Sequence, residues 1–177
     1  MKPKPSSTHF NDAGEVHMVD VTEKAVTVRS ATASAVICMS REAADAIEAG
    51  DAKKGDVLAV ARLAGISASK WTQHLIPLCH AIPIEAVSID FEWVQCEAGE
   101  MDRSNRFLRC LATARTTSKT GIEMEAMTAA SITALTVYDM LKSVDRAMVV
   151  RQVQLESKSG GESGDFRRPQ DGGKFGD

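Results

Sequence analysis

Apolar and polar positions change their spacing several times along the 177 residues, and each change marks an element. From Glu23 to Met39, Val, Thr and Ile recur with partial alternation, which predicts a first strand. Ser40 then stands as an N-cap before Arg41-Glu-Ala-Ala-Asp-Ala-Ile-Glu-Ala, and Gly50 is the stop, so a short helix is expected. Asp56 caps a second helix from about Val57 to Leu75, closed by Pro77. Gly65 inside it suits close approach of a neighbour. Pro83 to Val94 and Asn105 to Thr117 read as two strands joined by a polar turn near Gly99 to Ser104, and Met148 to Ser157 makes a last strand.

The stretch from Lys119 to Met148 organises the rest. After Gly121 it holds no glycine or proline, and Ala, Met, Leu and Glu are frequent, which favours one long helix. Ile122, Met127, Ala130, Leu135, Tyr138 and Leu141 place apolar side chains on nearly every face, as in a helix packed on several sides. Glu125, Thr128, Thr136, Asp139 and Ser143 keep to one narrow stripe at about 100° per residue, interrupted by Ile132 and flanked by Lys142. Such a stripe is either a solvated face or a groove, because buried carboxylates are costly unless paired.

The order strand, helix, helix, strand, strand, helix, strand is the split β-α-β-β-α-β arrangement with an extra helix. It predicts an α+β, ferredoxin-like sandwich with an antiparallel sheet. One domain is expected over residues 15–160. Pro3, Pro5, Ser6, Ser7 and Gly14 mark residues 1–14 as a flexible arm, and the many glycines of 161–177 mark a flexible tail.

Composition narrows the class. The chain is 44% hydrophobic but only 5% aromatic, so small and aliphatic residues must fill the core. A net charge of −3 gives no bulk attraction to nucleic acid. Cys38, Cys79, Cys96 and Cys110 form no Cys-x-x-Cys pair and read as free thiols in a reducing compartment. No apolar run approaches the ~20 residues of a membrane span, and the amino terminus lacks the apolar centre of a secretory signal. A cytoplasmic protein is expected, or one of the mitochondrial matrix in a eukaryotic host.

Candidate chemistry starts from single residues that are individually bland. His80 follows the apolar loop Leu75-Ile-Pro-Leu-Cys, where a lone histidine is usually a hydrogen-bonded core residue. His74, Cys79 and His80 match no standard zinc spacing, so no metal is expected. Lys54 sits in a Lys-Gly turn and is solvated by default. Lys142, one helical turn after Asp139, can pair with it. Arg29, Arg62, Lys70, Lys119 and Lys158 are cations that a triphosphate would want, yet no Gly-x-x-x-x-Gly-Lys-Ser/Thr loop is present.

Several blocks decide between these readings: Lys119-Thr-Gly-Ile-Glu-Met-Glu-Ala, Leu135-Thr-Val-Tyr-Asp-Met-Leu-Lys, His17-Met-Val-Asp-Val, Lys54-Gly-Asp-Val, Ala61-Arg-Leu-Ala-Gly-Ile, Leu75-Ile-Pro-Leu-Cys-His80 and Lys158-Ser-Gly-Gly. In order, from about Thr8 to Phe166, they resemble the cyclic pyranopterin monophosphate synthase family, the accessory C proteins of molybdenum cofactor biosynthesis. Ala81 departs from a proline common in that family.

The resemblance implies the ferredoxin-like fold and a GTP-derived cyclic nucleotide triphosphate as substrate. That substrate would be converted to cyclic pyranopterin monophosphate with release of diphosphate, without cofactor or metal. It implies proton transfer by Lys54, His80, Asp139 and Lys142. Binding would fall to Leu78, Cys79, His80, Glu123, Met124 and Glu125, with Arg29, Lys70, Lys119 and Lys158 near the phosphates. It also implies a homohexamer, a trimer of dimers with sites at the dimer interface. Sequence geometry points the same way: Glu125 and Asp139 are fourteen residues apart, roughly 21 Å along a helix. A metal-dependent GTP cyclohydrolase using His74, Cys79 and His80 is the rival enzyme. An RNA-binding sheet would need Phe91, Trp93 and Phe107 exposed together.

Overall fold

The computed structural model describes residues 9–10, 13–95 and 105–169. Its elements are β1 (Thr27–Met39), α1 (Arg41–Ala49), α2 (Val57–Ser69), α3 (Thr72–Leu75), β2 (Ala86–Val94), β3 (Arg106–Ser118), α4 (Glu123–Leu141), β4 (Val149–Ser159) and β5 (Phe166–Arg167). The sheet runs β2-β3-β1-β4-β5, every pair antiparallel. This is the ferredoxin-like order, extended by one short edge strand.

The aromatic-poor core is built largely from alanine. Ala33 faces Ala112 and Ala31 faces Ala114 across β1 and β3, and Ala126, Ala129, Ala130 and Ala134 of α4 are fully buried against them. Small side chains on both surfaces let the helix backbone approach the sheet closely. Larger residues, Ile37, Met39, Leu108, Val137 and Leu141, fill the other end beneath α1 and α2.

Local signals set most boundaries. Ser40 Oγ accepts from the Ala43 amide, and Gly50 ends α1 at φ +67°. Asp56 Oδ1 accepts from the Ala59 amide at 2.9 Å and starts α2. Gly65 lies where α2 presses on α4: a Cβ there would overlap Thr133 Oγ1 outright and sit 3.1 Å from Ala129 O.

Three elements differ from the sequence reading. The second helix does not run unbroken to Leu75. The Lys70 and Trp71 amides bond back to Ser67 and Ala68 carbonyls, and the Ser69 and Thr72 hydroxyls donate to Ile66 and Ser69 carbonyls, which tightens the chain into a break. Second, α4 stops at Leu141 rather than reaching Met148. Asp145 accepts from the Ser40 amide and the Ala147 amide, both at 2.8 Å, and this tertiary anchor ends the helix without glycine or proline. Nor is α4 buried all round, since Leu135 is 53% exposed. Third, Phe166–Arg167 pairs with Ser157–Lys158 and adds β5, held by the Arg168 amide on Glu156 O at 2.7 Å. The Gly99–Ser104 turn, Cys96 and residues 1–8, 11–12 and 170–177 lie outside the described residues.

Candidate active site

At the amino-terminal end of α4 a turn at Thr120–Gly121 delivers two carboxylates. At Gly121 the Glu123 carboxylate folds back over the backbone, into the space a Cβ would take, so a side chain there would displace that carboxylate. Glu123 and Glu125 occupy the first turn, where the partial positive charge of the helix end offsets part of their charge. Glu125 is 4% exposed. Burial pushes its carboxyl above the ordinary value, and the charge of Glu123 adds to that, against a backbone hydrogen bond that lowers it.

The loop before β2 supplies the facing groups. Leu78 holds φ +64°, a left-handed backbone that a leucine rarely adopts, and such strain clusters at functional positions. Cys79 follows, its thiol pushed up by burial and then by Glu125. His80 Nε2 meets Val19 O at 2.8 Å. A cavity of about 370 Å³ is lined by Leu78, Cys79, His80, Glu123, Met124 and Glu125, together with His9, Val19, Val21 and Lys24. A second, of about 250 Å³, is lined by Ser69, Lys70, Gln73, Ile82 and Ile84 and shares His80 and Glu125. The two cavities therefore meet at His80 and Glu125.

Of the candidate phosphate cations, Arg29, Lys119 and Lys158 each have a side-chain partner at this end. Arg29, 9% exposed, donates from Nε to Ser118 O at 3.0 Å and from Nη2 to Lys119 O at 3.1 Å. Lys119 Nζ donates to Thr22 O at 2.6 Å. Lys158 lies 3.7 Å from Glu123 and also bonds Ser163. Lys70 caps α2 at the smaller cavity.

Lys54, Asp139 and Lys142 form a separate cluster at the other end of α4. Lys142 Nζ lies 2.6 Å from Asp139 Oδ1. Lys54 Nζ reaches Asp139 Oδ2 at 2.9 Å and the Asp139 carbonyl at 2.7 Å from the turn before α2. Hydrogen bonds from Lys142 and then Lys54 pull the Asp139 carboxyl down to about 2, and Asp139 in turn pushes the Lys142 ammonium up. All three side chains are about half exposed.

The structure thus separates the candidate residues into two groups on opposite ends of one helix. Sequence reasoning did not single out His9, Lys24, Ser69 or Gln73. Of the lining residues outside the candidates, Val19 and Val21 carried a signal within the His17-Met-Val-Asp-Val block, and Thr120 and Gly121 within the block that opens at Lys119. Other sequence readings meet the geometry here. His74 packs against Trp71, the rings 5.2 Å apart and tilted by 53°, and contacts Gln73, and among the described residues no three of His, Cys, Asp and Glu are grouped as a metal site would be. Phe91 and Trp93 pack on the helix side of the sheet, whereas Phe107 is buried with Val36 and Cys38 on the other, so no aromatic stacking platform forms.

Glu125→Gln is expected to lose turnover yet melt a few degrees higher at neutral pH. The folded carboxyl binds its proton more tightly than the unfolded one, so the charged form destabilises the fold above the raised folded value. As pH falls below the ordinary 4.5 both states are protonated and the advantage disappears. Melting curves of the two proteins across pH check this.

The sequence model of the MoaC family matches residues 18–161. The chain is 75% identical over 169 residues to a cyclic pyranopterin monophosphate synthase of Rhodopirellula baltica, covering 95% of this chain and 97% of that protein. It is 50% identical to a protein of that name from Herpetosiphon aurantiacus, over 92% and 94% of the two chains. It is 47% identical to another from Halalkalibacterium halodurans, over 91% and 94%.

Proposed function

The chain belongs to the MoaC family, and from that premise we propose how its two residue clusters serve one reaction. Its activity is that of a cyclic pyranopterin monophosphate synthase, in molybdenum cofactor biosynthesis. A GTP-derived cyclic nucleotide triphosphate is rearranged at its base–sugar framework, a sugar hydroxyl attacks the innermost phosphate, and diphosphate leaves. Proton transfer suits the rearrangement, and cations near the phosphates suit the cyclisation.

In this reading the cavities meeting at His80 and Glu125 hold the base-derived rings, with Leu78, Cys79, Glu123 and Met124 around them. Arg29, Lys70, Lys119 and Lys158 form the cationic surround of the phosphates. Lys54, Asp139 and Lys142 form the proton-transfer cluster. The observation that carries the reading is their separation: one chain places that cluster and the Glu125–His80 cavity at opposite ends of α4. A two-fold partner running antiparallel brings the Asp139 end of one α4 beside the Glu125 end of the other. Exposed Val60, Leu63 and Leu135 on α2 and α4 support a contact between copies there. Residues 15–160 form the catalytic domain, assembled as a homohexamer of three dimers in the cytoplasm.

Burial by the partner also changes the chemistry of the cluster. In the single chain Asp139 makes Lys142 hold its proton more firmly, which is the wrong direction for a general acid. Desolvation disfavours the ammonium and releases its proton more easily. In a closed dimer this desolvation opposes the hold of Asp139 on the Lys142 proton.

Incubation with the cyclic dihydro-GTP intermediate, following diphosphate release, tests the reading. Turnover is expected for the native chain, and loss on the order of a thousandfold for Asp139→Asn and Lys142→Ala, each removing acid–base and electrostatic contributions together. Circular dichroism should show both variants folded, because the replaced groups are half exposed. Near-normal release by either variant would remove that residue from the catalytic assignment. In the rival cyclohydrolase reading, purified protein holds stoichiometric metal and its loss abolishes activity.

A further inference from the structure

The block His17-Met-Val-Asp-Val has no part in the reaction as described so far. In the fold, residues 19–24 form a strap along the wall of the larger cavity, to which Val19, Val21 and Lys24 contribute lining. Asp20 Oδ1 accepts from the Thr22 amide at 2.8 Å, and the Lys24 amide bonds Val21 O at 3.1 Å. These two local bonds fold the strap into a compact turn, and two of its carbonyls are engaged by side chains from elsewhere in the chain. Val19 O meets His80 Nε2 at 2.8 Å, and Thr22 O accepts from Lys119 Nζ at 2.6 Å. Lys24 reaches Glu162 at 3.8 Å on the far side. One six-residue segment thus touches the loop carrying His80, the turn leading into α4, and the turn after β4.

We propose that this strap is a positioning element for the reaction: the Val19 carbonyl, held by the Asp20 turn, keeps the His80 proton on Nε2 so that the imidazole meets substrate through Nδ1. A carbonyl oxygen can only accept, so a neutral His80 in this contact carries its hydrogen on Nε2. Nδ1 is then the ring nitrogen left with a lone pair. His80 in this state takes a proton from the substrate at Nδ1 and becomes imidazolium, with the Nε2–H···O=C bond unbroken. It can return that proton only afterwards. Holding the ring by one nitrogen fixes both its orientation and its tautomer, the role a buried backbone carbonyl or carboxylate plays beside catalytic histidines. The inference rests on the catalytic reading of His80, but the ring state can be measured without turnover.

The test uses the full chain with nitrogen-15 histidine and no substrate, with His80→Gln identifying the signal. The expected spectrum, taken at a pH where the ring is neutral, shows a slowly exchanging His80 Hε2 and an unprotonated Nδ1. Asp20→Ala, which removes the turn, should speed Hε2 exchange at least tenfold and lower kcat about tenfold, with a smaller change in KM. Asp20→Asn keeps the accepting oxygen and should restore both. A proton on Nδ1, or a rapidly exchanging Hε2 in the native chain, would overturn the proposal. So would an Asp20→Ala protein in which either exchange or kcat is unmoved, and so would failure of Asp20→Asn to rescue. A protected Hε2 in a chain that releases no diphosphate would instead count against the catalytic reading alone.

Discussion

Mixing inactive Glu125→Gln subunits with inactive Asp139→Asn subunits is expected to restore activity once the chains exchange. In a dimer whose sites each combine the Glu125 end of one subunit with the Asp139 end of the other, a hybrid carries one doubly altered site and one intact site. Random pairing makes about half the dimers hybrids, each with one good site of two, so about a quarter of native activity returns. The effect is large because it rises from a background near zero. It follows from the placement of the groups, since Lys54 and Lys142 converge on Asp139 whereas His80 and Glu125 line the same cavities elsewhere. Diphosphate release measured before and after exchange, with hybrid formation verified by mass spectrometry, decides it. Verified exchange with no recovery would place the whole reaction within one chain.

Gly65→Val is expected to be the most damaging single substitution in the helical layer. Any Cβ at this position overlaps Thr133 Oγ1 and presses on Ala129 O. Thr133 is fully buried and donates to Ala129 O at 2.8 Å, so it cannot turn away without stranding a hydroxyl. Overpacking costs about 1–3 kcal/mol and a branched side chain adds to it, which in a chain of this size lowers Tm by roughly 5–10 °C. Gly65→Ala should cost less, because alanine regains about 1 kcal/mol of helix propensity. Combining Gly65→Ala with Thr133→Ala removes the overlapping oxygen. That pair should therefore show a favourable coupling of about 1–2 kcal/mol in a double-mutant cycle. Simple additivity of the two single effects would mean that α2 and α4 are not as closely seated as described.

The sequence determined the elements because their causes are local. Ser40 and Gly50 bound α1, Asp56 starts α2, and the glycine- and proline-free run after Gly121 makes α4. Their order was enough for the ferredoxin-like topology, since a split β-α-β-β-α-β chain has few ways to bury its apolar faces. Local sequence also paired Asp139 with Lys142, one turn apart. Tertiary contacts decided the rest. Asp145 ends α4 by reaching back to Ser40, a bond across 105 residues that no helix propensity at positions 142–148 reveals. Lys54 joins Asp139 across 85 residues, and the Val19 carbonyl finds His80 across 61. A backbone carbonyl carries no side-chain signature, so its partner is fixed only when the chain has closed around it. The resemblance of short blocks named the family. Which of those blocks face one another is settled by packing, because spacing along one helix sets how far apart two groups lie, and not what a second surface brings to either end.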